Sequence, residues 1–242
     1  MAADSLDNGA PVAVAPPLDR PDPDFEITGA EVVGSAATPT LGFNIEVTDA
    51  SRITIHFIAL SALITVEPGM RTYEPADRER LVELFGEPER WGSTTGAFRW
   101  TQVDAVVPAF TERGSFRLPV QCTYDHEIAA TKYFGGIDSG TYPLQFHFNG
   151  TVYYEGADGR LQMLPLAWDR SARFELPVET WRRMIDLHYP EGGWMRLGTE
   201  TLRRLGQRKA ESGAPTMDDC ISRMLDRAER AADEAGERGG DG

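Results

Sequence analysis

Lysine and cysteine are the scarce residues of this 242-residue chain, with two of each: Lys132 and Lys209, Cys122 and Cys220. Two cysteines exclude a disulfide framework and fit a reducing cytoplasm. Two lysines leave few candidates for Schiff-base chemistry. The four histidines, His56, His126, His147 and His188, stand at no metal-ligand spacing: CxxC, HxH and HExxH are all missing. GxSxG is missing as well. The Gly135-Gly136 and Gly192-Gly193 pairs lack the strand–loop–helix setting and the lysine of a phosphate loop. No cofactor is expected from these patterns.

Long apolar runs are absent too. The longest, Ile53–Val66, covers 14 residues, includes His56 and is β-branched, so no membrane insertion is expected. The first 24 residues hold no basic residue before Arg20, and prolines break their apolar run, which is not the pattern of a signal peptide. These features lead us to expect a cytoplasmic protein.

The net charge of −14 is concentrated at the ends: five acids against one arginine in residues 1–24, and nine against four in residues 210–242. Such acidic tails favour solubility and disfavour nucleic acid or anionic lipid as a partner. Hydrophobic content of 41% and aromatic content of 10% are ordinary for a globular protein.

What is present is sheet. From Tyr142 to Tyr154 the even positions Tyr142, Leu144, Phe146, Phe148, Val152 and Tyr154 are apolar, while Gln145, His147, Asn149 and Thr151 are polar. Period 2 over that length is a half-buried strand. Asn149-Gly150 resembles a hairpin turn, but a turn there would send Val152 and Tyr154 to the opposite face. A continuous strand is therefore expected, with Gly150 as a bulge or close-packing point. The glycosylation pattern Asn149-Gly150-Thr151 is read as chance. Asp158-Gly159 supplies a hairpin, and the chain returns through Leu161, Met163 and Leu166.

Further strands are expected at Phe25–Val33, Leu41–Val47, Ile53–Val66 (with a bulge or bend near Ala59–Ala62), Phe98–Val107, Ser115–Tyr124 and Glu127–Phe134. Between them, Pro75–Phe85 has an early proline, acids in its first turn and Gly86 as a stop, which is a short helix. After Phe174 the chain turns helical: Pro177 opens a helix through His188, Thr199 caps a second, and a third spans Thr216 to about Ala235. The expected fold is mainly β, an antiparallel two-layer β-sandwich of immunoglobulin-like or C2-like type, with a short inserted helix and two or three C-terminal helices. A closed barrel is the alternative. The expected organisation is a disordered tail over 1–24, the sandwich over 25–176, a helical extension packed on it over 177–212, and a charged helix with a flexible tail over 213–242.

The densest reactive cluster is Cys122-Thr123-Tyr124-Asp125-His126. Cys122 and His126 are weak candidates for metal ligands or for a nucleophile and base. In a strand they lie on one face but about 13 Å apart, too far for a direct hydrogen bond unless the chain turns between them. The competing reading makes Cys122 a small buried hydrophobe. His56 and His147, mid-strand, could meet across a sheet. Five tryptophans, Trp91, Trp100, Trp168, Trp181 and Trp194, either seal helices against the sheet or help form a protein-binding surface. The candidate surface is Trp91, Trp181, Arg182, Arg183 and Trp194.

With Leu84–Trp91, Cys122–Asp125, Phe148–Tyr154 and Leu176–Trp194 in view, the chain resembles an uncharacterised domain-of-unknown-function family of actinobacteria, encoded beside [NiFe] hydrogenase genes. The resemblance covers roughly residues 25–210. It implies a non-enzymatic accessory protein that binds a hydrogenase subunit or maturation factor and supports assembly or stability of that system. The alternatives are a metal- or metallocentre-handling protein using Cys122 and His126, and an enzyme with an unrecognised site.

Overall fold

Along Thr40–Thr48 the side chains of Leu41, Phe43, Ile45 and Val47 all point inward, none more than 1% exposed. Each such burial contributes about 2 kcal/mol of transfer free energy. The same alternation builds the remaining strands. The computed structural model describes residues 20–122, 128–190 and 197–239. The chain divides into two compact units, 1–191 and 192–242.

Eight strands occur among the described residues of the first unit: β1 (Asp24–Val32), β2 (Thr40–Thr48), β3 (Ile55–Val66), β4 (Phe98–Val107), β5 (Arg113–Gln121), β6 (Thr141–Glu155), β7 (Leu161–Pro165) and β8 (Ser171–Pro177). One sheet has the order β1-β2-β5; the other runs β4-β3-β6, with both β7 and β8 beside β6. All pairings are antiparallel. This is the expected two-layer β-sandwich. Phe43 joins the layers, its ring meeting those of Phe146 at 5.1 Å and Phe174 at 5.8 Å.

The long strand is continuous through Gly150, which pairs with Leu60. A Cβ at Gly150 would sit 2.1 Å from the carbonyl oxygen of Ala59, so glycine is required there by close approach. Gly159, at φ +73°, makes the hairpin turn that follows.

Helices α1 (Pro75–Phe85), α2 (Trp91–Thr94), α3 (Ile128–Gly135) and α4 (Val178–His188) complete this unit. Helix α1 has the expected bounds and stops at Gly86, φ +77°. Segment Glu127–Phe134, expected as a strand, is instead helical from Ile128. Its buried residues Ala130, Tyr133 and Phe134 recur at helical spacing, not at period 2. The eighth strand is β8, where Ala172, Phe174 and Leu176 alternate with Ser171, Arg173 and Glu175; the chain turns helical only after Pro177. In β3 the alternation runs unbroken from Ile58 to Val66. The register shifts lie at Ile55/Phe57 against β6 and Ile64/Thr65 against β4, not at Ala59–Ala62. The apparent slip arises because apolar Ala59 and Leu63 occupy the outer face. Of β5, the expected end at Tyr124 lies outside the described residues.

The second unit contains α5 (Thr199–Ser212) and α6 (Met217–Gly239). Helix α5 ends on Gly213 in the left-handed conformation, φ +62°. The start of α6 is capped reciprocally. Asp219 N–H donates to Thr216 Oγ1 at 3.0 Å, and Asp219 Oδ2 accepts from Thr216 N–H at 3.1 Å and from its hydroxyl at 2.6 Å.

Candidate functional site

Cys122 follows the last residue of β5, and its thiol is 3% exposed. Its Sγ donates to the Val120 carbonyl at 3.3 Å, and burial pushes the thiol up to about 12. A neutral buried thiol is a packing group, not a nucleophile. His126 lies outside the described residues. His56 and His147 do not meet: His147 pairs with Leu63, seven residues along β3 from His56, or about 23 Å at the usual rise. His188 faces two backbone carbonyls, Met184 at 3.0 Å from Nδ1 and Ala36 at 3.3 Å from Nε2. Among the described residues no three His, Cys, Asp or Glu side chains converge as a metal site.

Three tryptophans are inside. Trp91, 8% exposed, donates its indole N–H to Gly86 O at 2.8 Å and meets Tyr73 and Phe85 edge-on at 5.2 and 5.4 Å. Trp181, also 8% exposed, stacks on Phe134 at 4.3 Å, while Trp100 lies edge-on to it at 6.1 Å. Of the surface expected at Trp91, Trp181, Arg182, Arg183 and Trp194, the two arginines are exposed and Trp194 lies outside the described residues. Trp91 and Trp181 seal helices instead, because an indole on a helix that faces the sheet is drawn into the core.

Below them runs a buried tyrosine chain. Tyr73 donates its hydroxyl hydrogen to Pro68 O at 2.8 Å, so the 3.0 Å contact with Tyr133 has Tyr133 as donor. Tyr142 donates to Phe134 O at 2.7 Å. Burial pushes Tyr73 up to about 12 and raises Tyr133 and Tyr142 further. At neutral pH the hydroxyls are fixed donors.

A knot of five charges closes this end of the sandwich. Buried Asp77 accepts from Arg80 at 2.8 Å and from Arg71 at 3.4 Å. Arg80 continues to Asp138 at 2.5 Å, and Arg182 of α4 pairs with the other oxygen of Asp138. Hydrogen bonding from Arg182, with Arg80 alongside, holds the Asp138 carboxyl below the usual range. Arg71 also donates to the Ser139 carbonyl at 2.6 Å and to that of Thr141. The five charges pair with one another, although Arg71 Nε is buried without a hydrogen-bond partner, and the knot positions α1, α4 and the 136–141 loop.

An exposed apolar feature lies on the outer face of the five-stranded sheet. Register aligns Val106, Ala59, Thr151 and Pro165 in one row, and Phe57, Tyr153 and Met163 in the next. Phe57 stacks on Tyr153 at 4.3 Å. Val106, Leu161 and Met163 are 64, 61 and 70% exposed, and Trp168, in the loop after β7, is 94% exposed. Toward the other end this face turns polar, with Ser61 donating to Asp104 at 2.6 Å. A hollow of about 420 Å³ there is lined by Glu67, Met70, His147, Arg173 and Glu175. Leu161 and Met163 stand together on the outer side of β7, since odd and even positions of one strand face opposite ways.

The model of a family of unknown function, DUF6084, matches residues 20–233. The chain belongs to that family. No curated protein matches this DUF6084 chain. Among solved structures it is similar to the CARDB domain of the PF1109 protein from Pyrococcus furiosus, solved with di-metal ions. That similarity has 12% identity over 73% of this chain and 98% of that one, at a TM-score of 0.27. A structure from Bordetella pertussis assigned as ApaA is similar at 13% identity over 66% of the DUF6084 chain and 96% of its own, with a TM-score of 0.27. No helix among the described residues of the DUF6084 chain is long and apolar enough to cross a membrane.

Proposed function

We propose that this chain is a non-enzymatic, cytoplasmic accessory protein that docks onto another protein, and that the partner is a subunit or maturation factor of an actinobacterial [NiFe] hydrogenase system. The observation that carries the docking role is the exposed apolar half of the sheet, where Val106, Phe57, Tyr153, Met163 and Leu161 are neighbours. Contiguous apolar surface rimmed by polar groups is the signature of a protein contact. Trp168 beside it is the residue type that dominates such contacts. The reading of the partner is supported by the resemblance carried by Leu84–Trp91, Phe148–Tyr154 and Leu176–Trp194. Arg182 and Arg183, with Trp194, stay in the proposal as a second contact region.

The test is direct binding of the purified protein to the large and small hydrogenase subunits. The double variant Leu161→Asp/Met163→Asp removes no buried contact and keeps the wild-type melting curve. It weakens binding by about 2 kcal/mol or more, roughly thirtyfold. Affinity unchanged in that variant removes the sheet face from the proposal. A clean deletion strain with intact hydrogenase assembly removes the hydrogenase.

A further inference from the structure

Helices α5 and α6 form a hairpin with half a core. Near the turn, Ala214 and Cys220 are 7 and 1% exposed. Farther along the helices, Leu202, Met224 and Leu225 are 52, 41 and 58% exposed. The apolar spacing of α6 continues through Met217, Ile221, Met224, Ala228 and Ala231, alternating four and three residues, which is the seam of a helix that packs against other helices. Helix α6 has 23 residues and α5 has 14, so α6 is the longer partner, while its apolar seam runs about the length of α5. Among the described residues the second unit holds these two helices and no further layer of its own, and an apolar stripe needs an opposing element to bury it.

Between the helices is a hollow of about 400 Å³ with Leu205 and Met224 at its apolar floor and Arg204, Arg208 and Glu211 on its wall. Charge identifies what fits. Helix α5 carries Arg203, Arg204, Arg208 and Lys209 against Glu200 and Glu211. Its two glutamates are engaged locally, Glu200 by Arg203 at 2.6 Å and Glu211 by Arg208 at 3.3 Å, which leaves an excess of cation. Helix α6 has seven acids against four arginines, and Asp226 and Glu229 flank its exposed Leu225 and Ala228. With two arginines and one glutamate the hollow keeps a single net positive charge around its apolar floor, and the apolar seam of the net-acidic α6 is bordered by Asp226 and Glu229 beside Arg227.

We infer that the α5–α6 hairpin is a self-association module: α6 of a second copy of this chain lies in the α5–α6 hollow, and the first copy's α6 fills the second's. The contact is isologous, because one two-fold axis satisfies both hollows at once. The four helices then make a bundle in which each α5 lies against the other copy's α6, with unlike charges facing.

Sedimentation velocity of the full chain over a concentration series tests this. The expected result is a monomer–dimer equilibrium that shifts toward monomer at high salt, since unlike charges between exposed groups are screened. Leu225→Asp gives a monomer with unchanged helical circular dichroism. Arg204→Glu, which disturbs no buried group, raises the dissociation constant about tenfold, or 1.4 kcal/mol. Met163→Asp, in the first unit, leaves the dimer intact. A wild-type chain that sediments as a monomer at every concentration overturns the inference and leaves the hollow to a helix of another protein. A dimer that survives both Leu225→Asp and Arg204→Glu, or is lost in Met163→Asp, overturns it as well.

Discussion

Trp181 lies nearly parallel to Phe134, their ring centroids 4.3 Å apart and their planes 23° from each other. The contact fastens α4 to α3, two elements 47 residues apart in the chain at these positions. It makes Trp181 a stability residue, whatever else α4 does. Trp181→Ala is expected to lower the unfolding free energy by about 4 kcal/mol, read from urea denaturation. A change within experimental scatter would mean that the ring is a surface group.

Alkaline pH acts on the same end of the sandwich. Cys122 and Tyr73 ionise at about 12 in the folded chain, against 9.0 and 10.0 when free, and Tyr133 and Tyr142 are raised further. A raised folded value means that the unfolded chain loses its protons first. Stability is therefore complete below about pH 9 and declines as pH rises toward 12. Denaturation midpoints at pH 8, 9, 10 and 11 give the slope, and a flat profile contradicts the burial of these hydroxyls. In the native state Cys122 resists alkylation at pH 8 and reacts once the chain is unfolded.

Acid pH acts on the charged knot. Asp138 is lowered by its hydrogen bond from Arg182, with Arg80 alongside, so its contribution is present above the ordinary carboxylate range and is lost as pH falls below it. Asp138→Asn should therefore be less stable than the wild type at pH 7 and nearly equal to it at about pH 3. A difference that persists undiminished at low pH assigns the effect to something other than the ion pairs. Asp77→Ala removes a carboxylate that is 3% exposed and leaves buried Arg71 with carbonyl partners but no counter-charge, at a cost of about 3 kcal/mol.

Gly150→Ala tests the crowding in the middle of β6. The added methyl would meet backbone, the Ala59 carbonyl at 2.1 Å, which cannot turn aside as a side chain can. We expect a loss of about 3 kcal/mol or an aggregating protein. Gly159→Ala, with nothing within 4 Å of its Cβ, encounters only the strain of φ +73° and is the milder change.

Local patterns in the chain were legible where one face is buried and the other wet. Pro75–Phe85 and Phe98–Val107 were readable to the residue, and the continuity of β6 followed from parity. Helix α3 and strand β8 were not, for opposite reasons. Ile128-Ala129-Ala130 is apolar without alternation and sat among strands, while the three inward residues of β8 lie just before a proline that signals a helix. Burial of Trp181 depends on partners far away in sequence, Phe134 and Trp100, and so does the knot, where Asp77 meets Asp138 61 positions on. The adjacent outer rows that hold Val106 in one and Phe57 and Met163 in the other come from separate strands whose pairing only the fold reveals.

Strand β6 has one long margin shared by two short neighbours, β8 along Thr141–His147 and β7 along Thr151–Glu155. Between them the chain leaves the sheet at Leu166 and returns at Arg170, held at each exit by one backbone hydrogen bond, Leu166 N–H to Gly150 O at 2.9 Å and Phe148 N–H to Arg170 O at 2.8 Å. The margin is thus divided into two independently fastened segments. Unpairing the five residues of β7 therefore leaves the seven residue pairs between β6 and β8 in place.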